Sequence, residues 1–400
     1  MLKILHFSDA HLDVPHTAAD LDAAEVRRAE LRSAFSSMML YIRQNGVRLV
    51  LIAGDLFDHA FLTRETTSLL VREFASVPDC HFVISPGNRD YYAEDSVWAK
   101  TAFSKNVHIF RSPTPACFPL DDIGVQVWGF AHVSPDMGSY APLAHLELAE
   151  KPANLRRIFC GHAAVVSEGT ALPPELTESG TPPTVTKEQL SRLGFDYAAL
   201  GYAHTSDGIR RVGSSGASTG SGAGKWTYFG YSGCLVGRGY DECGARGAVC
   251  GTFADDGSFS VRRLRIAKRH YEVLCIDFTD SGVKSTADVQ TVLRHAAEEA
   301  AENGIRLDAD AMVRVECTGA LPPDVRVTNE ALTAAIPGTA GMELCDRTTA
   351  AAEHTLSADA TLRGAYYREL AAALADKDED MRIVAGEALR AGLAAMKTQR

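Results

Sequence analysis

The chain has 400 residues, 46% of them hydrophobic and 23% charged, which is a globular composition long enough for two or three domains. Its net charge of -11 argues against a surface that binds nucleic acid all over, while leaving room for a local basic channel. No run approaches the ~18 apolar residues that span a membrane, and nine scattered cysteines without a CxxC pair read as reduced thiols in a cytoplasmic chain.

In chain order, residues 3–7 predict a strand, and 22–45 predict a long amphipathic helix that stops at Asn45-Gly46. Residues 47–53 form a second strand, continuously apolar except for Arg48. A helix is expected over 64–76, and further strands over 81–85, 125–130, 157–160 and 197–200. Apolar strands alternating with helices predict a layered α/β domain whose sheets are covered on both faces. Residues 206–225 are rich in Gly and Ser and read as a mobile loop, and 226–265 as β-structure completing the domain. The stretches 271–278, 286–303, 312–317, 329–335 and 342–345 then follow a β-α-β-α-β order, a smaller α/β domain. Two helices, near 359–375 and 379–397, close the chain. On the last one Met381, Val384, Ala388, Leu389, Leu393 and Met396 recur at helical spacing, suited either to docking a partner or to packing on the chain's own small domain. The expected division is 1–265, 266–350 and 351–400.

Five short motifs carry the chemistry: Asp9-Ala10-His11, Gly54-Asp55, Gly87-Asn88-Arg89-Asp90, Gly161-His162 and Gly201-Tyr202-Ala203-His204. Four of them sit just after a predicted strand. Ligands of α/β sheets bind at the carboxyl ends of strands, so polar residues from distant parts of the chain can converge there. Asp, His and Asn without thiolate form a mixed oxygen and nitrogen set that suits Mn, Fe or Zn, with manganese favoured by the oxygen share. Each residue alone has a structural reading, as a turn cap or a hydrogen-bonded core histidine. Five such motifs together, four of them at strand ends, favour a two-metal site. His59 is expected at the site, on a metal or supporting a ligand, or on the surface, and His6 and His132 within the core. The basic run Arg262-Arg263-Leu264-Arg265-Ile266-Ala267-Lys268-Arg269 suits either DNA or a solvated strand face.

The motifs resemble the signature of the calcineurin-like metallophosphoesterases: DxH, GD, GNH(D/E), GH and GHxH. The text around them, from Leu5 to Asp13, Ala53 to Asp58, Ser85 to Asn88 and Asp196 to Gly201, resembles the SbcD/YhaO-like nuclease subunits of bacterial DNA double-strand-break repair. So does Gly237-Arg238-Gly239-Tyr240-Asp241-Glu242. The likeness lies in residues 1–250. It implies a calcineurin-like domain with a smaller C-terminal α/β capping domain and terminal helices, and two divalent metal ions. It places Asp9, His11, Asp55 and His204 on the first ion, with Asp55, Asn88 and His162 on the second. Asp55 bridges, and a hydroxide shared by the ions attacks phosphorus. The implied activity is a DNA exo- or endonuclease working with an SbcC/YhaN-like coiled-coil ATPase, and a homodimer fits the same reading.

Two positions depart from the family pattern. Arg89 stands where the third motif has His, the usual proton donor, and Tyr202 where the fifth has its first His, a usual ligand of the second ion. Arg89 is then expected to stabilise charge, and Tyr202 to lie on or beside the metal. Two other functions fit the same residues: a weakened homologue serving as a DNA-binding or partner-docking scaffold, and an enzyme for a small diester such as a cyclic nucleotide. The long C-terminal additions favour the nuclease and the scaffold over the latter.

Overall fold

The computed structural model describes residues 1–15, 21–152, 154–177, 180–206, 208–213, 226–322, 325–350 and 354–397. Most of the Gly/Ser-rich stretch at 206–225 lies outside the described residues. The chain divides into two compact units, residues 1–238 with 245–268, and residues 239–244 with 269–400.

Among its described residues the first unit holds two six-stranded sheets. One runs Phe259–Arg265, Gly247–Phe253, Leu2–Phe7, Leu49–Ile52, His81–Ile84, Val107–Ile109; the last four are mutually parallel and the first two antiparallel additions. The other runs Arg210–Gly213, Trp226–Tyr231, Tyr197–Gly201, Arg156–His162, Val125–Gly129, Ala116–Leu120, parallel in its middle and antiparallel at both edges.

The continuous apolar strands follow from where their two faces go. Along Leu49–Ile52, Leu49 and Leu51 join Ile4, Val83, Val127, Ile158 and Tyr197 between the sheets. Val50 and Ile52 point the other way, into a core with Phe35, Met38, Leu70 and Phe74 from helices Leu21–Asn45 and Arg64–Ala75. A strand covered on both faces has no polar side to alternate with. The outer face of the second sheet packs Phe159, Ala198 and Phe229 beneath Leu190 of the short helix Lys187–Arg192. The mixed α/β architecture is the one expected.

Among the elements not foreseen are four short strands: the edge strands Val107–Ile109 and Ala116–Leu120, and the ribbon Ala164–Val166 with Thr184–Thr186. They are too short for a periodic signal. The strand carrying Cys160 also runs on through His162, so the fourth motif ends a strand instead of following one.

The second unit has the parallel sheet His270–Asp277, Ala311–Thr318, Gly341–Asp346, linked by helices Thr286–Glu302 and Asn329–Ala335 in the expected β-α-β-α-β order. Ser285 begins the longer helix with a reciprocal capping box to Asp288. Its core joins Val289 and Leu293 to Leu274, Val313, Val315 and Leu332. On the last helix, Glu379–Lys397, the expected apolar face divides. Leu389 and Leu393 are buried with Leu356 and Tyr367, while Met381 and Val384 remain 48% and 64% exposed. No helix among the described residues is long and apolar enough to cross a membrane.

Ile158 is wholly buried between the two sheets. Ile158→Ala is expected to destabilise the first unit by about 2–5 kcal/mol, through lost transfer energy and the cavity left behind. Denaturant titration with an unchanged midpoint would contradict that.

Candidate metal centre

The motif loops rise from the carboxyl ends of neighbouring parallel strands and are laced together by backbone hydrogen bonds. Asp9 N donates to Gly54 O at 3.0 Å, His11 N to Asp55 O at 3.0 Å, and Leu12 N to Leu56 O at 3.0 Å. Asp90 forms a second tie. Its carboxylate accepts from the backbone of Asp55 (3.0 Å), Leu56 (3.0 Å) and Gly87 (2.6 Å), joining the second and third motifs.

The close fit strains the backbone. Asp9, His11, Asp55 and Tyr202 all have positive φ, at 50°, 45°, 53° and 100°. Such conformations in non-glycine residues cost roughly 1–3 kcal/mol each and persist only where the surroundings enforce them. Glycine is required at two points of closest approach. A Cβ on Gly54 (φ 88°) would enter the His162 ring, and one on Gly201 would enter the Ala53 carbonyl.

Six of the candidate ligands are brought together. Ligand atoms of Asp9, His11 and His204 lie within 4.8 Å of one another, and so do those of Asp9, Asp55 and His162. Asp9 is common to both groups by proximity. Asp55 lies between them by direction: its Oδ2 is 3.8 Å from His11 Nε2 and 3.5 Å from His162 Nε2. Asn88 completes the second group, with Oδ1 3.0 Å from His162 Nε2. The carboxylate of Asp9 is also held by the Ser8 hydroxyl and by Tyr202 N at 3.3 Å.

This donor set fits divalent metal. Oxygen and imidazole ligands converge without thiolate, and two of the histidines are oriented as metal ligands usually are. Acceptors hold their Nδ1 atoms, the Ala53 carbonyl at 2.8 Å for His162 and Asp58 Oδ1 at 2.6 Å for His11, so that Nε2 faces the centre.

The remaining candidates stand differently. Tyr202 lies edge-on to His162 with ring centroids 5.4 Å apart, and its hydroxyl donates to Gly180 O at 3.1 Å. Burial and the Asp55 charge raise the phenol above its ordinary value, against the opposing Arg89, so Tyr202 stays neutral. Arg89 is exposed, and its backbone N–H holds Asp55 Oδ1 at 2.8 Å. His59 turns from the centre to bond Tyr91 O at 2.8 Å. His6 lies in the core between Tyr197 OH (2.8 Å) and Leu200 O (3.1 Å), and burial pushes it down to about 3. His132 bonds the His162 carbonyl at 2.8 Å, and burial with the nearby His162 charge lowers it to about 4.

Sequence reasoning missed Asp58, the partner of His11, and the clamp role of Asp90. Asp58 was within reach, three residues beyond Asp55 in a motif already singled out. Asp90 reads in the sequence only as the end of its motif.

Electrostatically the centre is a concentrated pair. Burial alone would depress His162, but the Asp55 carboxylate, with Asp9 behind it, raises it to about 9. Burial would likewise raise Asp55, yet His162 and His11 hold it well below the usual carboxylate range. Burial and the neighbouring Asp55 lift Asp90 to about 7 against its backbone donors.

An ion bound by His162 Nε2 must displace the proton that the metal-free site carries below pH about 9. Affinity for Mn(II) is therefore expected to rise with pH, by about ten-fold per unit for one proton released, and to level off above pH about 9. Calorimetric titration at several pH values, in buffers of different ionisation enthalpy, checks this; pH-independent affinity without proton release would contradict it.

Residues 2–201 match the family model described as calcineurin-like phosphoesterase. The matched stretch holds Asp9, His11, Asp55, Asn88 and His162 and ends just before Tyr202. The chain is also similar to the uncharacterized metallophosphoesterase YhaO of Bacillus subtilis (strain 168), 24% identical over 213 residues, 51% of this chain and 48% of that protein. The chain thus aligns with only about half the length of that relative. With half of its residues in the family match and the motifs converged on one metal-binding cleft, the chain belongs to the calcineurin-like phosphoesterases, a family that binds two divalent metal ions.

Proposed function

We propose that this metallophosphoesterase is a phosphodiesterase acting on DNA in strand-break repair, with a coiled-coil ATPase resembling SbcC or YhaN as its partner. The observation that carries the hydrolytic part is the position of Asp55 Oδ2 between His11 and His162. In this reading Asp9, His11, Asp55 and His204 hold the first ion, and Asp55, Asn88 and His162 the second. Asp55 is preferred to Asp9 as the bridge because Asp9 is already engaged by Ser8 and the Tyr202 backbone. A pair of divalent ions supplies Lewis acidity that activates water and neutralises phosphoryl charge. Manganese suits the oxygen share, and nine free cysteines suit a reducing cytoplasm.

The chain's own groups have defined parts. The Arg89 backbone holds Asp55 Oδ1, so that Oδ2 keeps its direction. The Arg89 guanidinium, exposed beside this loop, offsets charge on phosphoryl oxygens. With a pKa above about 12 it does not deliver a proton to a leaving group as imidazole does.

DNA as substrate is supported by the basic strand Phe259–Arg265. Arg263 Nη2 donates to Ser232 O at 3.0 Å, Ser232 Oγ lies 2.7 Å from Ser8 Oγ, and Ser8 holds Asp9. This basic edge therefore lies level with the metal cleft. Partner docking is supported by exposed Met381 and Val384 on the last helix. A second reading, a weakened centre serving mainly as a scaffold, is favoured by the Tyr202 hydroxyl being bonded to Gly180.

Asp55→Ala is expected to abolish binding of both ions, and His204→Ala to remove chiefly the first. Elemental analysis finding two full equivalents in Asp55→Ala would refute the assignment.

A positioned general acid contributes typically about 10²–10⁴ in rate. The wild type is therefore expected to cut DNA slowly and to do relatively better on an activated aryl phosphodiester, whose leaving group needs little protonation. Restoring both residues, Arg89→His with Tyr202→His, should raise plasmid nicking by at least about 10²-fold, with a smaller gain on the aryl ester. A double variant that nicks no faster at saturating Mn(II) would show that these two positions do not limit the reaction.

A further inference from the structure

A column of rings runs from the core of the first unit to the rim of the metal cleft. Trp98 and Phe57, both buried, lie with ring centroids 4.8 Å apart. Phe57 meets His59 edge-on at 5.6 Å, and His59 meets Tyr91 edge-on at 4.8 Å. Hydrogen bonds pin the column. Trp98 Nε1 donates to Asp90 O at 2.6 Å, His59 Nε2 to Tyr91 O at 2.8 Å, and His59 N to Arg89 O at 3.1 Å. The loops that follow the second and third motifs are thereby tied together.

Phe61 stands on the first of these loops. Its N–H donates to Asp58 O at 3.0 Å, in the turn whose Asp58 carboxylate holds His11 Nδ1 at 2.6 Å. The next residue, Leu62, packs against the core that contains Phe35 and Phe74. Phe61 instead remains 46% exposed. On the neighbouring loop Arg89 is exposed and Tyr91 half-buried. Two aromatic residues and a guanidinium are therefore carried by the loops that also carry Asp55 and Asn88.

A nucleobase is the ligand this combination suits. Every base has a π-face that stacks on an aromatic ring, and a guanidinium adds a cation that suits both the base and the phosphate beside it. A ring already fixed by its neighbours loses little freedom when a base settles on it. We infer that Phe61 and Tyr91 form a stacking platform for an unpaired nucleobase of the strand whose phosphate lies at the metal centre, with Arg89 meeting the charge of the backbone. The inference rests on the reading of DNA as substrate and adds how the strand is held. A base inside an intact duplex offers no free face, so the platform takes bases that are unpaired or turned out of the stack.

The test compares wild type with Phe61→Ala, Phe61→Leu and Phe61→Trp, reading single-stranded oligonucleotide binding by fluorescence anisotropy and cleavage with Mn(II). Phe61→Ala and Phe61→Leu should each weaken binding roughly 5- to 150-fold, the worth of one base–aromatic stack. Leucine keeps apolar area but has no π-face. Phe61→Trp should bind at least as tightly as wild type, and its added indole emission should fall when the strand binds. On a strand made of abasic residues all four proteins should bind alike. Should Phe61→Leu bind as well as wild type while Phe61→Ala is weakened, the ring is an apolar docking point and the inference is overturned. An equal loss on the abasic strand overturns it too. Wild type that cuts the oligonucleotide while Phe61→Ala binds it normally overturns this inference alone. Wild type that neither binds nor cuts any oligonucleotide removes the DNA reading, and the platform with it.

Discussion

An ionised carboxylate enclosed in protein costs several kcal/mol unless it is compensated, and much of the first unit's construction compensates Asp55. Its side chain is buried and held ionised. Two imidazoles and the Arg89 backbone N–H surround it. The compensation is itself anchored, because Asp90 clamps the Asp55 loop with three backbone hydrogen bonds. A second buried carboxyl so near the first would be repelled if both were fully charged. The rise of Asp90 to about 7 relieves that conflict, and the backbone donors serve it in either state.

The same demand explains the strained backbone. Strand ends in two facing sheets lie too far apart for short side chains to meet unless the loops turn inward sharply. Three ligand-bearing residues and Tyr202 adopt positive φ to make that turn. The cost, roughly 1–3 kcal/mol per residue, is tolerable because the strands beneath are inflexible. Leu49, Leu51, Val83 and Ile158 close the space between the sheets, leaving the loops a fixed base. Core packing and site geometry are thus one problem. A cavity between the sheets would let the strained turns relax and move the ligands apart.

How far the fold and centre could be read from sequence follows from how local each signal is. The motif residues were legible because each acidic or imidazole side chain adjoins an apolar strand, a pattern spanning fewer than ten positions. The long helices and central strands were legible from periodicity. What sequence hid depends on contacts between distant residues. Nothing near Arg238 marks it as the partner of His204, 34 positions earlier, and nothing near Ser232 points to Ser8. Edge strands of three or five residues, such as Val107–Ile109 and Ala116–Leu120, are specified by pairing with a finished sheet and carry little pattern of their own. The last helix showed a single apolar stripe, but only tertiary packing divides it into buried Leu389 and Leu393 and exposed Met381 and Val384.

The two departures from the family pattern lie on one side of the centre. Tyr202 stacks edge-on to His162, and Arg89 is close enough to oppose the rise of its phenol. Under the proposed assignment, the Asp55–Asn88–His162 half has a phenol where the family pattern has an imidazole, with the Arg89 cation beside it. The Asp9–His11–His204 half keeps its three donors within 4.8 Å of one another. On that reading the halves differ in their donors, and the centre is expected to fill unevenly. Its second half then gains most from anionic oxygens that arrive with the substrate, since a phosphoryl group can supply the ligand that the Tyr202 hydroxyl, bonded to Gly180, does not.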